Sequence, residues 1–314
     1  MSAAREKRLP TPFLPGVAYL LAGLLVTFSV LAPGFASVPN LLNVGVQSSI
    51  LLLLALPMTL IIMSEGLDLS MGAMLGLAGV TLATLLVDGT SLVFAAGAAL
   101  AVGLLFGMAN GWLIVSLGIP PFVATLGTLG IAQGLALVAT DGQSVVGIGE
   151  QLPDLYASRW IGLPFSILVA LVAYGVFHLL LYHTRFGTYV FAIGGHREAL
   201  DLAGVRANLY HVAIYGVGGV MAGFAALVFT GRMNAGHPTA ALGMEFDAIA
   251  AVIVGGTSFS RGDGWLPGTV LGVLAVGVLK NGLNVIAISS SLQVASIGLL
   301  VIAALLIDSL RGRR

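Results

Sequence analysis

Apolar residues run along this chain in long unbroken stretches, separated by short clusters rich in Pro, Gly, Asn and Asp. A helix needs about 20 apolar residues to cross roughly 30 Å of hydrocarbon. Ten segments qualify, near 13–32, 45–63, 70–87, 91–116, 122–140, 161–182, 211–231, 246–258, 265–286 and 291–308. The stretches are continuous and do not alternate with polar residues, which favours helices over the strands of a membrane barrel. The pattern predicts an all-α integral membrane protein of about ten transmembrane helices. A single transmembrane domain would span 13–308, between cytoplasmic segments 1–12 and 309–314, with 183–210 as the large cytoplasmic loop.

Charge sharpens this picture. Only 8% of residues are charged and the mean hydropathy is +1.05, whereas a soluble domain carries about 25% charged residues. No lysine or arginine occurs between Arg8 and Arg159. Arg5, Lys7 and Arg8 precede the first segment and Arg311, Arg313 and Arg314 follow the last, which places both termini in the cytoplasm by the positive-inside rule. That requires an even number of spans, and ten satisfies it. Arg185, Arg197 and Arg206 put the loop 183–210 on the same side, while the acidic loop 141–160 falls outside. The basic start and apolar core resemble a signal peptide, but nine further spans follow, so the first segment reads as an uncleaved span. A net charge of zero points to no nucleic-acid partner, and the absence of cysteine excludes disulfides and thiolate metal sites.

A faint repeat links the two halves. Leu100-Ala101-Val102-Gly103 recurs as Leu274-Ala275-Val276-Gly277, followed by Asn110-Gly111 in one copy and by Asn281-Gly282 and Asn284 in the other. Each copy is preceded by a polar break, at 64–70 and at 255–260. The expected topology runs the two copies in opposite directions, as in transporters built from inverted repeats. Chance likeness between two Leu/Ala/Gly-rich helices is the alternative. Glycine supplies 43 of 314 residues, about twice the usual ~7%. Stripes such as Gly72/Gly76, Gly103/Gly107/Gly111, Gly219/Gly223 and Gly264/Gly268/Gly272 predict close helix packing, since lipid offers helices no hydrophobic reason to associate.

Candidate chemistry is sparse. The five histidines form no i, i+4 pair, no G-x-S-x-G elbow is present, and neither Lys7 nor Lys280 sits in a phosphate-cradling Gly-Lys loop. ATP, if used, is therefore hydrolysed by another subunit. Glu65, Asp68 and Ser70 form a polar elbow between two apolar segments. Asp68 or Ser70 would cap the third span, line the inner end of a solute path, or do both. Asn110, Thr257, Ser258, Asn281 and Asn284 are further path candidates, the asparagines being able to bond a polar solute or a neighbouring helix. Lys280 lies near enough to the outer end of the ninth span to snorkel its ammonium to the headgroups. In the inner loop, Arg197, Glu198, Ala199, Leu200, Leu202 and Gly204 fit a short helix that rests on the bundle or docks on a cytoplasmic partner.

Several of these segments resemble one family. Glu198-Ala199-Leu200-x-x-x-Gly204 is similar to the E-A-A-x-x-x-G loop of ATP-binding-cassette (ABC) importer permeases, with Leu200 in place of the second Ala. Gly66-Leu67-Asp68-Leu69-Ser70-Met71-Gly72 resembles the G-I-D-L-S-V-G segment of ribose/xylose/galactose-type permeases. Ile119–Gly127, Thr184–Gly187 and Asp247–Ser258 extend that likeness along nearly the whole chain. The resemblance implies a bacterial inner-membrane permease for a monosaccharide. Its expected partners are a cytoplasmic ATPase, which holds ATP and Mg, a second permease copy and a periplasmic sugar-binding protein; no cofactor is expected on this chain. The helix at 198–204 would then transmit ATPase closure. A nucleoside or a signalling furanose would suit the same architecture. The competing class is a proton- or cation-coupled secondary carrier using Glu65 and Asp68 as a relay.

Overall fold

The computed structural model describes residues 16–258 and 262–312. The basic N-terminal segment 1–12, residues 259–261 and the terminal Arg313 and Arg314 lie outside the described residues. Twelve helices form the described chain: α1 (Gly16–Leu31), α2 (Val38–Met63), α3 (Met71–Val87), α4 (Leu92–Leu117), α5 (Pro121–Thr140), α6 (Gln151–Ala157), α7 (Phe165–His183), α8 (Arg185–Leu202), α9 (Ala207–Met233), α10 (Met244–Val254), α11 (Leu266–Val285) and α12 (Ser290–Gly312). Two short antiparallel ribbons accompany them. Strands β1 (Val145–Val146) and β4 (Ala235–Gly236) pair, as do β2 (Arg159–Trp160) and β3 (Leu163–Pro164).

Each expected apolar segment overlaps one helix, but six helices among the described residues (α2, α4, α5, α7, α9 and α11) are long and apolar enough to cross a membrane. Helices α1 and α3 are apolar but shorter, and α10 has only 11 residues. The expected loop 183–210 is mostly the 18-residue helix α8. Its mixed polar composition hides a helix that lies against α7 and α9.

Helix α2 runs through the centre, buried from Ser48 to Met63 between α7, α9, α10 and α11. A helix apolar on every side belongs there. Helices α4, α5 and α7 leave most of their apolar surface uncovered, including Phe94, Leu105, Val138 and Val172, as expected of walls that meet lipid. The packing graph maps onto itself when α2–α5 are exchanged for α9–α12. Contacts of α2 with α10 and α11 match those of α9 with α3 and α4, and contacts of α3 with α4 and α5 match those of α10 with α11 and α12. The repeated tetrapeptides end at equivalent contacts: a Cβ on Gly103 would meet the carbonyl of Gly219 on α9, and one on Gly277 would meet Ser48 on α2.

Glycine sets the closest approaches. A Cβ on Gly103 would sit 2.1 Å from the Gly219 carbonyl oxygen, and one on Gly219 would sit 2.0 Å from that of Gly103. Gly107 meets the Tyr215 carbonyl in the same way, and Gly111 meets the backbone of Val212. Helices α4 and α9 thus touch backbone to backbone over three turns. Gly268 and Gly272 do the same against Gly255 and Ala251 of α10. A hydroxyl contact adds to α2–α11 packing, Thr59 Oγ1 lying 2.8 Å from Thr269 Oγ1.

Gly72 and Gly76 serve a different end from the expected helix–helix packing. The segment 234–243 turns back into the bundle after α9 and descends along α3. Gly236 packs against Gly79 and Ala83, the Pro238 carbonyl against Gly76, and the Ala241 carbonyl against Gly72. From Gly79 to Gly72 it penetrates about 10 Å, at 1.5 Å of rise per residue. Helix α10 therefore starts inside the bundle, which explains its short length. Irregular backbone at such depth is tolerated where protein buries it.

Two one-methyl substitutions separate these effects. Gly219→Ala should lower the thermal midpoint of the purified protein, because only backbone surrounds the new methyl and overpacking costs about 1–3 kcal/mol. Gly97→Ala on α4, with nothing within 4 Å of the added atom, should leave the midpoint unchanged or raise it. Equal effects would remove the backbone contact as the constraint.

Candidate functional site

The elbow between α2 and α3 gathers a buried polar network. Glu65, at φ 59°, ends α2 with its side chain exposed, whereas Asp68 and Ser70 are fully buried. Asp68 Oδ1 accepts from the Ser70 amide at 2.8 Å and from the Ser70 hydroxyl at 2.5 Å. Asn110 of α4 donates to Ser70 Oγ at 2.8 Å and reaches Asp68 Oδ2 at 3.4 Å. Thr128 of α5 donates to Asn110 Oδ1 at 2.6 Å. The Leu67 carbonyl accepts from Thr125 and from Tyr215 of α9, each at 3.3 Å. Three helices, α4, α5 and α9, thus meet at one elbow, with every buried polar atom named here paired. That completeness matters, since an unpaired buried polar group costs roughly 1–3 kcal/mol.

The expected cap takes another form. Ser70 precedes α3 without a side-chain cap bond, and Asp68 folds its carboxylate back onto the Ser70 amide. Tyr215 lies two turns into α9, so the elbow is well inside the bundle. Glu65 and Asp68 do not share a site: one faces solvent while the other is closed into the network. A relay passing through both has no geometric support.

Beside this network, Glu245 in the first turn of α10 is buried, accepts from the Gly243 amide at 3.0 Å and packs against Gly72. A Cβ on Gly72 would lie 2.0 Å from Glu245 Oε2. Two residues on, in the same turn, Asp247 pairs with Lys280 of α11. Lys280 is therefore tied to a carboxylate, a correction to the snorkelling expectation; its partner stands 33 positions earlier in the chain.

The other expected path residues lie elsewhere. Asn281 is buried and accepts from Asn40 at 2.9 Å, fixing α11 to the start of α2. Asn284 is exposed in the last turn of α11. Thr257 and Ser258 are buried in the turn after α10, where the Ser258 amide bonds the Asp263 carbonyl. Asp68, Ser70 and Asn110 thus form a cluster that Asn281, Asn284, Thr257 and Ser258 do not join. Thr125, Thr128 and Tyr215 complete it; a threonine pair spaced three apart on α5 was the available signal.

At the N-terminal end of α9 lies the last turn of α8, which holds the segment 197–204. Arg197 donates to Asn208 Oδ1 at 2.6 Å, tying α8 to the first turn of α9. Glu198 is exposed, Leu200 is buried and Leu202 is 90% exposed. The side chain of Ala199 lies outside the described residues. Gly204, at φ +73°, takes the left-handed conformation after the helix, and the Val205 amide bonds the Leu200 carbonyl at 3.1 Å. This is the 6→1 closure that glycine permits. The apolar residue the segment turns inward is Leu200, and the one it offers outward is Leu202.

A bundle of apolar helices with a sealed polar network, an elbow and a half-helix starting inside the protein has the architecture of a membrane transporter. Comparison with known proteins makes this specific. The family described as the permease component of branched-chain amino acid transport systems matches residues 40–307. The ribose import permease of Bacillus subtilis (strain 168) is 39% identical over 91% of this chain and 89% of its own. The D-allose transport system permease of Escherichia coli (strain K12) is 35% identical over 94% and 91%, and the L-arabinose permease of the same strain 34% identical over 93% and 89%. A solved ABC transporter of the metal-chelate type, in an inward-facing conformation, aligns over 93% of this chain and 98% of its own with a TM-score of 0.50 and 15% identity, a likeness of fold alone. The chain belongs to the permease family of ABC sugar importers. Its relatives are transport components and not enzymes.

The network yields a test that needs no substrate. Thr128→Val leaves Asn110 Oδ1 buried without its donor and should destabilise the protein by roughly 1–3 kcal/mol, read as a lower thermal midpoint, with Thr128→Ser close to wild type. Asn284→Leu, at an exposed helix end, should leave the midpoint unchanged. A silent Thr128→Val would mean that the network does not hold the elbow.

Proposed function

We propose that this chain is the transmembrane permease of an ATP-driven importer for a monosaccharide or a closely related polyol. The observation that carries the reading is the last turn of α8. Glu198 and Leu202 stand exposed on a helix end fixed by Arg197 to α9 and closed by Gly204. An exposed leucine flanked by charges on a helix end suits the groove of a cytoplasmic ATPase. Closure of that partner, acting through α8, would tilt α9 and the helices packed on it between outward- and inward-open states.

The remaining assignments follow from this one. The α8 end of the bundle faces the cytoplasm, together with both termini, and the β1–β4 ribbon faces the periplasm. Ten helices cross the bacterial inner membrane, with α1, α3, α10 and α12 inserted beside the six long ones, and the exchange symmetry of α2–α5 with α9–α12 is that of an inverted repeat. A second permease copy and a periplasmic binding protein complete the importer, and ATP and Mg reside on the ATPase. The sugar permeases among the relatives support a neutral monosaccharide as cargo.

The coupling claim is tested with Glu198→Arg and Leu202→Asp combined. The double variant should insert, fold and purify like wild type while failing to retain the co-purifying ATPase, and sugar uptake by cells carrying it should be abolished. Normal uptake would sink the role of α8.

A further inference from the structure

The start of α7 carries an exposed apolar hairpin that the importer reading leaves unused. Strands β2 and β3 pair Trp160 with Leu163, leaving Ile161 and Gly162 as a two-residue turn. Both take positive φ, 56° and 78°, as a type I′ turn requires. Asn and Gly favour such a turn, whereas a β-branched residue in it is a genuine outlier. Ile161 is nevertheless 95% exposed, and Trp160 beside it is 57% exposed. An isoleucine that strains its turn and packs on almost nothing points to an apolar occupant outside the chain.

Position identifies that occupant as lipid. Helix α7 has 19 residues, roughly 28 Å at 1.5 Å of rise per residue, so its whole length is needed to cross about 30 Å of hydrocarbon. Phe165, its first residue, therefore stands at the outer boundary of that layer. Phe165, Val172, Val176 and Leu179 share one helix face, and the last three are exposed. Trp160 continues this apolar stripe beyond the helix, its ring lying 6.5 Å from that of Phe165. The hairpin is fixed there, because the Phe165 amide donates to the Ser158 carbonyl at 3.1 Å. Trp160 Nε1 donates to Ser158 Oγ at 3.0 Å, which satisfies the indole N–H and leaves its apolar body to the surroundings. Charge agrees with this placement. From Ser158 to Pro164 the chain carries Arg159 and no acidic residue, which suits a layer of lipid phosphates. Tryptophan at headgroup level is a general anchor of membrane proteins.

We infer that the β2–β3 hairpin is a lipid-binding anchor: Trp160 and Ile161 insert at the headgroup level of the outer leaflet and hold the outer end of α7 in the bilayer. The inference rests on the membrane orientation proposed above. The chain contains no cysteine, so Ile161→Cys places a unique thiol at the tip. Asp154→Cys, exposed on α6 in the same loop, provides a matched control.

Each full-length variant would be labelled with the polarity-sensitive fluorophore NBD and reconstituted in vesicles of phosphatidylethanolamine and phosphatidylglycerol. Its emission would be read against aqueous iodide and against lipids spin-labelled near the headgroup. The label at Ile161→Cys should be quenched several-fold more by the lipids than by iodide, and that at Asp154→Cys the reverse. Adding the periplasmic binding protein should leave the tip signal unchanged. The same pattern at both positions, or a tip reached by iodide alone, would overturn the inference. So would a tip that iodide reaches until the binding protein is added, which would make the hairpin a protein-docking surface. A tip shielded from both quenchers would also overturn it and assign the hairpin to a second permease copy. None of these readouts needs sugar or the ATPase. A tip in water on a protein with ATP-dependent uptake would reject the anchor and leave the importer standing, whereas uptake without an ATPase would reject the importer and leave the anchor.

Discussion

Lipid gives two apolar helices no reason to meet, so this bundle depends on contacts closer than side chains allow. Helices α4 and α9 lie backbone to backbone at Gly103, Gly107, Gly111 and Gly219, and α10 meets α11 in the same way at Gly255, Gly268 and Gly272. Dispersion at that range, summed over several turns, replaces the missing hydrophobic drive. The contacts also fix the height of each helix along its neighbour, since a glycine admits a carbonyl at one register only. Everything polar inside the protein relies on that registration. Asn110 reaches Ser70 and Thr128 because α4 is held at one height against α9 and α3.

Within this frame the interior divides into two zones. Near α8, the elbow at 64–70 is closed, with the Asp68 network complete and Met63 packed against Gly194 of α8 and Gly264. Towards the other end, the chain after α9 turns back into the bundle, α10 begins part-way along it, and a cavity remains beside the Asp247–Lys280 pair. The elbow at 64–70 and the returning segment 234–243 occupy corresponding places in the two halves of the packing graph, before α3 and before α10.

Much of this was legible in the sequence, for identifiable reasons. Long apolar runs marked every helix that forms a segment of the bundle, and polar residues inside those runs marked Asp68, Ser70 and Asn110, which do come together. The glycine stripes on α4, α9 and α11 announced the close contacts. Hydropathy says nothing, however, of where a chain turns inside protein, so the return of 234–243 and the shortness of α10 were hidden. Lys280 was misread because its partner, Asp247, stands on the preceding helix. The spacing of Thr125 and Thr128 was a weak signal, because threonine in a helix commonly bonds its own backbone one turn back, as Thr125 does to Pro121.

As proposed, this bundle moves solute when a partner hydrolyses ATP. Energy coupling tests it most directly. The permease would be purified with the proteins that accompany it, reconstituted in liposomes with the periplasmic binding protein, and supplied with labelled D-ribose, D-allose or L-arabinose. The account predicts accumulation that requires ATP and hydrolysis, and that is indifferent to collapse of the proton gradient. Accumulation by the chain alone on a proton gradient, without ATP, would contradict it.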